Sequence, residues 1–225
     1  MIYGNTFLRE EYGYINNLND IYHNKDKFDS GEINLCFITG LSGSGKSTMA
    51  NSIKNRDASV ENYELDDVFM NFKYSDSELK RLGPAIYSFF KGIGKKYRMT
   101  EKPTKENNML DGKVTEEFEK GMAVDFVNYM IDYAKSHKDK KFIVEGVEIF
   151  WHIDPDTIND YAVYIKGTSA FISMIRAAKR QVNKENLEGL DRVNRLFNWT
   201  FKKGRIKQYI ENDQNFNKWK KYFKK

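Results

Sequence analysis

The chain has 225 residues, a formal net charge of +5 and a single cysteine. That length holds one well-packed domain with an embellishment and excludes two full enzymatic domains. The lone cysteine excludes a disulfide framework and a Cys/His metal site, which points to a reducing, cytoplasmic setting.

No apolar stretch approaches the length of a bilayer span and nothing near Met1 reads as a basic segment followed by an apolar one, so no membrane partner is expected. The positive charge suits a nucleotide or a nucleic-acid strand equally and does not choose between them.

Residues 1–32 are polar and aromatic with weak periodicity, and Asp29-Ser30-Gly31 ends them in a turn signal; they are expected to form a short N-terminal helical addition. The apolar run 33–38 predicts a strand. It leads into Gly40-Leu41-Ser42-Gly43-Ser44-Gly45-Lys46-Ser47-Thr48, a pattern that arises by accident in roughly one chain in a hundred of this length. Its glycines let backbone N–H groups form a concave nest for phosphate oxygens, and a helix opening behind it, expected over 47–55, aims its positive dipole end at the same place. Lys46 then reaches the terminal phosphates and Ser47 helps hold Mg²⁺. The ligand expected from this loop is a nucleoside triphosphate, ATP.

A second strand is expected over 60–65, ending at Asp66-Asp67. From 71 to 111 glycines and prolines interrupt the pattern and lysines crowd it, which reads as an insertion on the substrate side rather than as core. Its aromatic residues Tyr87, Phe89, Phe90 and Tyr97 either stack a base or form a small core with a solvated rim. Phe118, Met122, Phe126, Met130 and Tyr133 recur at helical spacing and predict a helix over 116–135. Strands follow over 141–144, closed by Glu145-Gly146, and over 161–166, with a turn at Asp154-Pro155 between them. Helices then run to the end, with a lid and C-terminal helices over 168–212 and an amphipathic terminal helix around Trp219 and Phe223. Strands alternating with helices predict an α/β domain with a mainly parallel sheet flanked by helices. No convincing fifth strand is visible.

Acids and arginines surround the loop in this arrangement. Asp66 follows a strand that ends on the loop's edge of the sheet, where a carboxylate takes a proton from an acceptor hydroxyl or orients Mg²⁺ through water; Asp67 alternatively caps the next helix. Glu145 ends a buried strand beside the first. Arg176 and Arg180, with Lys179 between them, share one helix face opposite Phe171, Ile172, Ile175, Ala178 and Val182, and either clamp phosphates or form a solvated basic face. Arg192 and Arg195 are weaker candidates, on a later helix whose apolar side carries Leu190, Val193, Phe197 and Phe201.

These residues resemble the small phosphate-loop kinases, the group that includes nucleoside and nucleotide kinases, adenylylsulfate kinase, shikimate kinase, zeta-type toxins and polynucleotide 5′-kinases. The resemblance covers residues 33–182 and rests on the loop, on Tyr63-Glu64-Leu65-Asp66-Asp67 and on the Arg176/Arg180 pair. It implies a phosphate-loop NTPase fold with a helical insertion, with Asp66 as acceptor base, Glu145 contacting Mg²⁺ or its water, and the two arginines in a lid that closes over ATP. Segment 71–111 matches no subfamily in that group. The expected activity is transfer of the γ-phosphoryl group from ATP to a small-molecule or nucleotide acceptor, with a polynucleotide 5′-kinase and an ATP-hydrolysing switch module as alternatives.

Overall fold

The computed structural model describes residues 20–101, 112–168 and 203–223, with isolated positions between 172 and 198. A five-stranded sheet organises them, in the order β1-β5-β2-β4-β3, with β1 at Ile21–His23, β2 at Leu35–Gly40, β3 at Val60–Glu64, β4 at Lys141–Glu145 and β5 at Ala162–Lys166. The last four pair in parallel, so their C-terminal ends share one edge. Strand β2 is central, and all six of its residues are buried, as a strand covered on both faces must be.

Side chains alternate between two cores with the period of two that a pleated strand imposes. Leu35, Phe37, Phe142, Val144, Val163 and Ile165 face the larger core. Cys36, Ile38, Ile143, Ala162 and Tyr164 face the smaller one, which α1 (Lys25–Ser30) and α2 (Lys46–Arg56) cover through Phe28, Met49 and Ala50. The larger core is closed by the long helix Gly112–Ser136 and by the C-terminal helix Lys203–Phe223, which buries Phe216, Trp219 and Phe223. The expected amphipathic character of both helices is met. Among the described residues no helix is long and apolar enough to cross a membrane.

Three expectations are corrected. A fifth strand exists: Ile21–His23 pairs antiparallel with β5, Ile21 opposite Ile165. Three residues with only one buried side chain offer no readable alternation, so the N-terminal addition hid a strand within its described part; residues 1–19 lie outside the described residues. Segment 71–101, expected to lie outside the core, contributes to it. Its helices Asp76–Leu82 and Pro84–Lys91 and the turn Ile93–Tyr97 bury Leu79, Ile86, Phe89, Phe90 and Tyr97 in the main core. Phe89 meets Phe90 and Phe126 edge to face at 5.1 Å each, and Gly94 is packed directly on the Phe89 ring. Phe89, Phe90 and Tyr97 therefore form core, while Tyr87 packs half-buried against it beneath Lys80 and Lys91, which matches the small core with a solvated rim. The glycines and prolines that suggested an insertion mark helix junctions, such as Gly83-Pro84 at the start of the second helix. Beyond β5, Ala178 is buried as expected, but Ile172 and Val193 are exposed, so the apolar faces inferred for those helices do not hold at these two positions.

Candidate functional site

Gly40 ends β2, and the turn that follows must reverse tightly above β5. Gly40, Gly43 and Gly45 have φ of 145°, 82° and 97°, values that favour glycine. A Cβ on Gly40 would lie 2.7 Å from the Lys166 carbonyl oxygen. The turn is closed by a hydrogen bond from the Ser44 N–H to the Leu41 carbonyl, 3.0 Å, and Gly45 is the N-cap of α2. No acid occupies the first turn of that helix, and Lys46 is its first residue. A cation there opposes the helix dipole, an arrangement that costs stability unless an anion is also to be held. The Lys46 Nζ folds over the loop and donates to the Gly40 carbonyl at 3.1 Å. Arg176 reaches the loop from the helix after β5, its Nη1 donating to the Gly43 carbonyl at 3.2 Å.

A cavity of about 530 Å³ opens above this loop, lined by Ser42, Gly43, Gly45, Lys46, Ser47, Thr48, Arg176 and Lys179 and, from the ends of β3 and β4, by Glu64, Asp66, Glu145, Gly146, Val147 and Trp151. Of the expected site residues, Lys46, Ser47, Thr48, Asp66, Glu145 and Arg176 thus share one cavity. Gly40, Leu41 and Ser44 lie behind its lining: Leu41 is wholly buried in the main core, and the Ser44 hydroxyl is buried without a hydrogen-bond partner. Arg180 and Arg192 lie outside the described residues, and Arg195 is exposed.

The acids are held by different means. Glu145 is 2% exposed; its Oε1 accepts a 2.7 Å hydrogen bond from Asn62 on β3, while its Oε2 has no hydrogen-bond partner among the described residues. The turn after it is tied to β2, the Thr39 hydroxyl donating to the Gly146 carbonyl at 2.9 Å. Asp66 is exposed, in the first turn of the short helix Leu65–Phe69. Asp67 does not cap that helix. The N-cap is Glu64, and Asp67 points away to accept from the Tyr74 hydroxyl at 3.1 Å, because β3 ends one residue earlier than the pattern suggested.

Sequence reasoning missed Glu64, Trp151 and Glu148. Glu64 sits opposite Glu145 in register; burial first, then the charges of Glu145, Asp67 and Asp66, pushes its carboxyl up to about 7. Glu148 opens the helix Glu148–His152 and has a buried, unpartnered Oε2. Burial pushes it up to about 7, with the Asp66 charge adding and Lys46 opposing. The legible signal was Glu64 itself, a strand-end acid on the same edge as Glu145. Glu148 and Trp151 carry no motif, since only the turn at Gly146 brings Trp151 to the cavity and Glu148 behind its lining.

The arrangement gathers N–H donors, a helix N-terminus and cations at one place and oxygen-only donors beside it, which suits an anionic ligand next to a hard cation. Among the described residues, no three His, Cys, Asp or Glu side chains are arranged to hold a metal ion unaided. No family model, curated protein or solved structure matches the chain.

Proposed function

We propose that the protein is an ATP-dependent phosphotransferase of the phosphate-loop kinase kind, transferring the γ-phosphoryl group to a hydroxyl or phosphate of a small molecule or nucleotide. The observation that carries this reading is the convergence of Lys46 and Arg176 on the loop at the start of α2, in one cavity with Asp66 and Glu145. The buried, unpartnered Ser44 hydroxyl and Glu145 Oε2 fit a site with further polar partners to gain. Ser47 and Glu145 supply the oxygen donors that Mg²⁺ favours, and one or two protein ligands suffice when substrate phosphates provide the others. Such an ion neutralises charge on the transferring group.

Phosphoryl transfer has a loose transition state and needs positioning and charge neutralisation more than covalent help. The loop N–H groups and the α2 N-terminus orient the triphosphate, and Lys46 and Arg176 offset charge spreading over the equatorial oxygens. Asp66, exposed at the cavity, accepts the acceptor's proton as its oxygen bonds to the γ-phosphorus and the bond to the β-phosphate oxygen breaks, releasing ADP.

Lys46→Ala tests the assignment. It is expected to lower ATP turnover with acceptor by at least about a hundredfold, measured with γ-labelled ATP; undiminished turnover would show that the loop does something else. The polynucleotide 5′-kinase alternative draws little support from segment 71–101, since Phe89, Phe90 and Tyr97 are core and only Tyr87 is half-buried at its rim. Fast hydrolysis without any acceptor would favour the switch alternative.

A further inference from the structure

The cavity is divided by charge. Its cations, Lys46, Arg176 and Lys179, come from the loop and the helix after β5, whereas Glu64, Asp66 and Glu145 come from the ends of β3 and β4. The chain carries a net charge of +5, so an acidic wall is a local inversion and not a result of composition.

With Glu145 assigned to the metal and Asp66 to the acceptor proton, Glu64 and Glu148 have no task in the transfer itself. Glu148 is only 9% exposed, and its Oε2, unpartnered among the described residues, lies behind the cavity lining, 2.6 Å from where a Cβ on the lining residue Gly146 would stand and on the side of the buried Leu65. Burying a carboxylate with one oxygen left unsatisfied is costly unless positive charge nearby offsets it. Trp151, 37% exposed, adds an aromatic face to the same cavity, the best side chain for attracting a cation through its ring. An acceptor that already carried phosphate would set its own charge against these carboxylates.

Resting on the kinase reading above, we propose that the phosphoryl acceptor is a cationic alcohol, a hydroxyl compound with a protonated amine or quaternary ammonium and no phosphate, its positive end held by Glu64 and Trp151 with the Glu148 charge just behind the cavity wall. The acceptor oxygen forms the new bond to phosphorus, its proton passes to Asp66, ADP leaves, and the cationic group is unchanged by the reaction.

Calorimetric titration of the intact protein tests this with choline and 2-deoxystreptamine as cationic probes, myo-inositol as the neutral one, and glucose 6-phosphate and a 5′-hydroxyl oligonucleotide as phosphate-bearing ones. The cationic probes are expected to bind most tightly. Glu148→Gln and Glu64→Gln, each checked for folding by circular dichroism, should weaken them about tenfold relative to myo-inositol, as loss of one facing charge predicts. Equal or tighter binding of a neutral or phosphate-bearing probe overturns the proposal. So does the absence of cationic binding at millimolar concentration, or indifference to both substitutions. ATP titrated into the wild-type protein keeps the two readings apart: failure to bind ATP defeats the kinase assignment, whereas failure to bind the cationic probes with ATP binding intact defeats only the acceptor class.

Discussion

Glu148 carries an unfavourable charge in its folded setting. Its ordinary value is 4.5 and burial pushes it to about 7, so the folded state binds more protons than the unfolded state between those values, and stability falls as pH rises across that window. Above the folded value the whole difference opposes folding, about 3 kcal/mol for a shift of this size. Glu148→Gln does not titrate. It is expected to raise the melting temperature at pH 8 and to make little difference near pH 4.5, and melting curves at the two pH values check it; an equal effect at both would remove titration as the cause. Glu64, raised by burial and by neighbouring acids, acts in the same direction. Gly40 is the converse case, a residue whose smallness the backbone requires. Gly40→Ala sets a Cβ 2.7 Å from the Lys166 carbonyl at a φ of 145°, and is expected to cost about 2 kcal/mol in urea unfolding and to weaken ATP binding by displacing the loop. Cys36 is the one thiol, and burial, with the Asp29 charge adding, pushes it well above its ordinary value, which leaves it an inert core residue.

Elements were legible where their periodicity was long or their ends were marked. The helix Gly112–Ser136 was visible because Met122, Phe126 and Met130 repeat down one face, and β4 because Phe142-Ile143-Val144 is apolar on both sides of the sheet. Segment 71–101 was misread because its helices run only seven and eight residues, too short for a periodic signal to outweigh the glycines between them. Its contribution to the core is large. Phe89 is wholly buried against Phe90, Tyr97, Phe126 and Tyr129, and Phe89→Ala is expected to destabilise the fold by about 3–5 kcal/mol. A loss below about 1 kcal/mol in urea unfolding would show that the segment adds little to the core. Short β1 escaped notice for the same reason: pairing with β5, not its own pattern, makes it a strand.

Across the whole molecule, β1 is fastened where the sheet meets the loop. Asp20, immediately before β1, forms a buried ion pair with Lys166 at the end of β5; the two side chains are 1% and 6% exposed. The other Asp20 oxygen accepts the Gly167 N–H at 2.6 Å. Lys166 in turn supplies the carbonyl beneath Gly40, so this pair supports the wall behind the glycine-rich loop. Breaking a buried pair leaves an uncompensated charge, and Asp20→Asn is expected to cost about 3 kcal/mol, read by urea unfolding, with a drop in ATP affinity. Stability unchanged within about 0.5 kcal/mol would show the pair to be incidental.

The sequence by itself determined the α/β alternation, the glycine-rich loop between β2 and α2, the strand-end position of Glu145 and the place of Asp66 just beyond β3, because each is encoded within a few consecutive residues. Only the tertiary structure decided that Glu64 faces Glu145 across adjacent strands, that Trp151 reaches the cavity with Glu148 behind it, that Asp67 turns away to Tyr74, and that Phe89, Phe90 and Tyr97 belong to the core. Those outcomes depend on strand register and on how helices pack against the sheet, and residues far apart in the chain set both.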